Sequence, residues 1–225
     1  MFDPQHCGAC NQPCIGDNFC GGGTCQATLL SNTCSEPVVR AVLDGIVADD
    51  DAGTSIAQAL VAACAPAPMF AIAGQADAGV IAVNTGEPLE LGALLIAGGG
   101  DYYQRVVNWL ETSGAAHIKD SSSSTQYQYT LRDGGVVSEG LAADVGPHHD
   151  IFVVQLSRSS AGELVLSASG FYASGTAAAA WYFINVLLPM RATLADSWYV
   201  VEWSDTTMDG LPDVNDAWTP VASGH

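Results

Sequence analysis

Between positions 205 and 216 the chain reads DTTMDGLPDVND, with oxygen-bearing side chains at almost every second residue. That spacing matches a calcium-binding loop, whose ligands stand at positions 1, 3, 5, 7, 9 and 12 around a glycine at position 6. Asp205, Asp209 and Asp213 take positions 1, 5 and 9, Gly210 permits the sharp turn, and Leu211 offers its main-chain carbonyl. Thr207 stands where an acid is usual, and Asp216 is shorter than the closing bidentate glutamate. Calcium takes six to eight hard oxygens, so these imperfect ligands imply weak binding, on the order of 10⁻⁴ to 10⁻³ M. An ordinary acidic turn is the competing reading.

Three other constellations carry less chemistry. Ile96-Ala-Gly-Gly-Gly-Asp101 is a strand, glycine turn and helix start that could cradle a phosphate. It has neither GxGxxG nor the GxxxxGK[ST] lysine, and Asp101, expected to cap the helix, would repel an anion. The stretch SGFYASGT from Ser169 to Thr176 is a second strand-to-helix loop, without the GxSxG spacing of a nucleophile elbow. In His148-His149-Asp150 the imidazoles could bind metal or act as bases, but neighbours on an extended chain point to opposite sides. A solvated turn after Pro147 is the plainer expectation.

Cysteine usage sets the compartment. Cys7, Cys10, Cys14, Cys20 and Cys25 lie among Gly, Asn, Gln, Pro and Asp, a segment too poor in apolar residues to build a core. Disulfides fit this better than zinc, because the later gaps lack a second CxxC and the segment has no basic residue. Cross-links persist outside the cytosol, so the chain is expected to be exported, extracellular or at the cell surface. The remaining two cysteines, Cys34 and Cys64, flank one predicted element and are expected to bridge. Seven is an odd count and leaves one thiol over.

Three resemblances add to these readings. DPQHCGACNQPCIGDNFCGGGTC is similar to a cysteine-rich motif of myxobacterial surface and secreted proteins, in which a further cysteine precedes the Asp-Pro. A truncated N-terminus is the expectation that follows; it would also account for the lack of a basic start and apolar stretch before Gln26. LLIAGGGDYYQRVVNWLE, HDIFVVQLS and LVLSASGFYASGTAAAAWYFINVLLP loosely resemble domains of S-layer and other cell-envelope proteins, within residues 94–203. That resemblance implies an envelope protein, and the lack of a nucleophile motif or paired acid–base spacing leads to the expectation of a non-enzymatic structural or interaction role. The run 205–216 also resembles DxDxDGxxD loops of bacterial extracellular proteins.

The elements that must position these residues follow from periodicity. Apolar residues at 38, 39, 42, 43, 46 and 47, then 56, 59, 60 and 63, read as a helical hairpin broken at Asp49-Asp50-Asp51. Short apolar runs at 69–73, 80–83, 151–156, 164–168 and 198–203 read as strands. Val106, Val107, Trp109 and Leu110 give a helical stripe ending at Gly114, and a second helix covers 177–188 up to Pro189. Asp133-Gly134-Gly135 turns a hairpin between 127–131 and 136–137.

The expectation is an α/β fold, a mixed sheet with packed helices preceded by a small disulfide-rich module. Its divisions are a cysteine-rich module over 1–30, a helical hairpin over 31–68, an α/β domain over 69–204 and an acidic calcium-loop-like tail over 205–225. A net charge of −18 repels nucleic acid and anionic membranes. The apolar run 177–190, broken by Asn185 and Pro189, falls short of a bilayer span. The expected partners are other cell-surface proteins or further copies of the chain. Two rival readings are a secreted hydrolase near His148 and His149, and a ligand-binding module rimmed by Tyr102, Tyr103, Phe171 and Tyr172.

Overall fold

The computed structural model describes residues 19–21, 24–26, 30–159 and 161–225. The fold is α/β, a mixed parallel and antiparallel sheet with helices packed on it. Two short strands, β1 (Phe19–Gly21) and β2 (Thr24–Gln26), pair antiparallel. The pairings expected among Cys7, Cys10, Cys14, Cys20 and Cys25 fall on side chains outside the described residues.

The body is a seven-stranded sheet in the order β12-β11-β9-β10-β5-β3-β4. Its parallel half holds β3 (Val38–Leu43), β4 (Met69–Gly74), β5 (Ala93–Gly98) and β10 (Leu164–Gly170). The antiparallel half holds β9 (His149–Arg158), β11 (Trp198–Ser204) and β12 (Ala217–Gly224). A three-stranded antiparallel sheet, β6 (Ile118–Asp120), β7 (Gln126–Leu131) and β8 (Val136–Leu141), stands beside it. The turn at Asp133-Gly134-Gly135 joins β7 to β8 as its residues predict, with Gly134 at a φ of 91°.

Central strands are buried on both faces, so they read as unbroken apolar runs rather than alternating ones. Side chains still divide by twos. Leu94 and Ile96 of β5, with Phe152 and Val154 of β9, face helices α1 (Val47–Ala63) and α3 (Ala173–Tyr182). Ala93, Leu95 and Ala97 face α2 (Arg105–Ser113), while Ile151 and Val153 face the three-stranded sheet. Helix α3 runs on through a wider π turn (Phe183–Leu187) and a last turn (Leu188–Met190) around Pro189.

Several expectations are corrected. The run 38–43 is a strand, not the first helix of a hairpin. Its apolar pairs recur every four residues, a pattern equally suited to a short strand buried on both faces, and its three valines favour extended backbone. Asp44 and Gly45, the latter at a φ of 91°, turn the chain into α1. The run 80–83 contributes one isolated bridge, Ile81 with Pro88, and no full strand. Gln104, not Asp101, stands at the N-cap of α2. Within the stretch 205–225, Ala217–Gly224 forms β12, a strand that the sequence reading did not mark.

Cys34 and Cys64 form a disulfide, with Cα atoms 5.4 Å apart. It ties the chain entering β3 to the end of α1, closing a separation of 30 residues. Replacing both cysteines by alanine should lower the unfolding free energy by about 3–4 kcal/mol. Urea unfolding followed by tryptophan fluorescence measures this.

Candidate functional site

Strands β3, β5 and β10 end at one edge of the sheet, and β9, running the other way, begins there. Ser204 at the end of β11 pairs with His149. One edge therefore gathers Asp44, the glycines 98–100, the turn 170–175, His148 to Asp150 and the loop 205–216.

The chain reverses its winding between β3 and β5, where open α/β sheets usually hold a ligand. Here α1 fills the position. A side chain at Gly98 would strike the Asp49 carbonyl, and one at Gly99, whose φ is 86°, would strike the Asp49 carboxylate. The glycine turn thus exists for close approach of α1, not for a phosphate. Asp49 is 6% exposed, and its pKa is pushed up to about 6 by burial and by the neighbouring Asp44 charge, against a hydrogen bond from Thr176. Asp44 is raised too, through burial and the nearby Asp50, although the Ile46 N–H opposes this.

Asp150 lies two strands away and is fully buried. One oxygen accepts the N–H of Ile151 at 2.8 Å and of Phe171 at 3.3 Å; the other accepts that of Tyr172 at 2.8 Å. The carboxylate occupies the anion position at the start of α3. Gly175 leaves room for it, since any side chain there would strike the Asp150 carboxylate. Burial pushes its pKa up to about 7, while the Tyr172, Ile151 and Phe171 N–H groups and His149 pull the other way.

The two histidines diverge, His148 in the turn before β9 and His149 at its first position. His148 Nδ1 meets Asp205 Oδ2 at 2.7 Å. His149 Nδ1 meets the Asp144 carbonyl at 2.6 Å and Nε2 meets Glu202 Oε1 at 2.8 Å. Both His149 nitrogens face acceptors, which only the imidazolium satisfies. Burial lowers its pKa, and the Glu202 and Asp144 hydrogen bonds outweigh that, so the net shift is upward.

The loop 205–216 is organised by its first and last acids. Asp205 Oδ1 accepts the N–H of Thr207 at 3.0 Å, the Thr207 hydroxyl at 3.0 Å and the Met208 N–H at 2.6 Å. Its Oδ2 accepts the Gly210 N–H at 2.6 Å besides His148. Burial opposes ionisation of Asp205, yet the hydrogen bonds from His148, Gly210, Thr207 and Met208 hold it well below the usual carboxylate range. Asp216 accepts Trp203 Nε1 at 2.9 Å and the N–H groups of Thr206 and Asp213 at 3.1 and 2.9 Å. Asp209 and Asp213 accept the N–H two residues on, from Leu211 and Asn215. The Asp213 carbonyl takes the Trp218 indole at 3.1 Å. Asp205 and Asp216 therefore serve the loop's own N–H groups, together with His148 and the Trp203 indole. Among the described residues no three His, Cys, Asp or Glu side chains converge as a metal site.

The four aromatics proposed as a rim separate. Phe171 stacks on Tyr129 with centroids 4.7 Å apart, whereas Tyr102, Tyr103 and Tyr172 are exposed. Tyr102 and Tyr103 border an open crevice of about 530 Å³ with Asn84, Thr85, Asp101 and Arg105. Behind Asp101 stands Glu111, pushed up to about 8 by burial and the charge of Asp101. Sequence reasoning missed Glu111 and took Asp49 only as part of a break between two helices, whereas α1 runs through Asp49-Asp50-Asp51. Their signal was a carboxylate inside a helical pattern, Asp49 in the first turn of α1 where the dipole favours it.

These features define the class: an α/β protein whose ligand edge is closed by its own carboxylates. No family model matches the chain, and no curated protein or solved structure is similar to it.

Asp49, Asp150 and Glu111 all hold protons more tightly when folded than the unfolded value near 4. Such groups stabilise the fold fully below that value, and their contribution is lost as pH rises through the folded pKa. His149, raised above 6.5, follows the same sign. Asp205, depressed, stabilises above about pH 4 and fails only below it. The melting temperature should therefore peak near about pH 4 and fall by about 5 °C or more toward pH 8. Glu111→Gln should raise it at pH 8 by about 2–4 °C, by less at about pH 5, and leave it nearly unchanged at about pH 4. Calorimetric scans across this range test both.

Proposed function

We propose that the chain is a non-enzymatic structural or interaction protein of the cell envelope or extracellular space. The observation that carries this is the Cys34–Cys64 disulfide, which belongs in an oxidising compartment. The five further cysteines before Gln26 support the same compartment. The use of the acids supports the second half of the reading. Asp150, Asp205 and Asp216 hold backbone N–H groups, and His148 and His149 hold carboxylates and a carbonyl. A serine-type hydrolase built on these histidines would need one of the imidazoles beside a nucleophile. No helix among the described residues is long and apolar enough to cross a membrane.

Thiol labelling of the unfolded, unreduced protein from an oxidising host tests the compartment. Cys34 and Cys64 should stay unlabelled; labelling of both would remove the basis of the reading. Hydrolysis of a generic ester that disappears in His149→Ala would instead establish the hydrolase.

Calcium enters this proposal as a weak stabiliser of the loop, held by Asp209, Asp213 and the Leu211 carbonyl on its exposed side. Asp209 accepts a single N–H, so lone pairs remain for a cation. Millimolar calcium should raise the melting temperature more than magnesium does, and Asp209→Ala should abolish the difference. An equal response to the two ions would leave only general screening of the net charge.

A further inference from the structure

Helices α1 and α3 diverge at the surface and leave a groove of about 540 Å³, floored by Ala52, Ala180, Trp181 and Ile184. Val47 forms one lip and is 75% exposed; Pro212, from the loop 205–216, forms another. The same loop exposes Met208, Leu211 and Val214, so the apolar surface continues beyond the groove. Met208 adopts a φ of 59°, the left-handed region that a residue with a bulky side chain enters only when its surroundings impose it. Asp205 supplies that constraint through the Met208 and Gly210 N–H groups. The loop is thus built rigid while presenting side chains that gain nothing from water.

Charge decides what fits. None of the chain's six basic residues lies within 41–63, 173–190 or 205–216, the segments that form the groove and its rim. Asp51 lines the groove, and Asp213 adjoins Pro212. A second copy, itself carrying −18, would be repelled, as would nucleic acid or an anionic bilayer.

We propose that this groove and loop form a docking surface for an amphipathic segment of another protein, with apolar residues flanked by lysine or arginine. The apolar side chains enter between α1 and α3 against Trp181, an anchor type common in interfaces, and the basic ones reach Asp51 and Asp213. The inference narrows the interaction reading above to one partner chemistry.

The test titrates the full chain with a synthetic helical Leu/Lys peptide in physiological salt, followed by tryptophan fluorescence. Saturable binding is expected, weakened about tenfold or more by Val47→Asp or Leu211→Asp. Both positions are exposed, and circular dichroism verifies that the variants fold. Asp51→Lys should shift preference toward a Leu/Glu peptide. The proposal is overturned if a Gln/Lys peptide binds equally well, which would mean charge alone, or if the two Asp variants bind unchanged. Retention on phosphatidylcholine vesicles with no peptide binding would overturn it in favour of a lipid surface. Free Cys34 and Cys64 thiols would undermine the extracellular reading without altering this titration, so the two failures are distinguishable.

Discussion

A single buried carboxylate joins the two halves of this fold. Asp150 begins the antiparallel strand β9, yet its oxygens accept N–H groups from the turn that leads the last parallel strand into α3. An unpaired buried donor costs about 1–3 kcal/mol, and the turn presents two part-buried ones beside a helix start. The acid, the glycine at 175 that admits it and the small residues of α3 are one solution. With it in place α3 lies close on β9 and β10, and Phe152 and Val154 find a covering layer. Without it the helix start and the adjoining strand would have no common partner.

The same device recurs along the edge. Asp49 fits against the glycines after β5, Asp205 and Asp216 bracket the loop after β11, and Asp50 accepts the N–H groups of Asp44 and Gly45. A chain with 24 acids and six basic residues cannot rely on ion pairs. It satisfies carboxylates with backbone N–H groups, and burial raises the pKa of those at Asp49, Asp150 and Glu111. Arg40 with Glu90 is an exception, a bidentate pair at 2.5 and 2.7 Å on the parallel side.

Much of the architecture is legible in the residues, for reasons that are local. Turn chemistry at Asp133-Gly134-Gly135, the alternation of Tyr127, Tyr129 and Leu131, and the apolar runs of β9, β10 and β11 depend on neighbours in sequence. So does the placing of Cys34 and Cys64 at the two ends of the segment that becomes β3 and α1. What is not legible depends on burial from afar. VVRAVL reads as helix until strands on both sides bury it, and AWTPVASG, with Pro220 in its middle, becomes a strand because it sits at a sheet edge, where proline is tolerated. The loop 205–216 stood out by spacing, but spacing records where oxygens lie, not whether N–H groups reach them first. Asp150 stood out beside two histidines, and its partners proved to be the main chain of residues 171 and 172.

The direction of the strands has a further consequence. The chain enters the sheet at Val38 and leaves it at Gly224, and both lie at the edge opposite the carboxylates, because β3 starts there and β12 runs back to it. The Cys34–Cys64 bridge sits at that same edge, where α1 ends. An anchor attached through either flank would hold the protein by its cross-linked base. The acidic edge and the loop with Met208 and Leu211 would then face away from the anchor, like the head of a bristle.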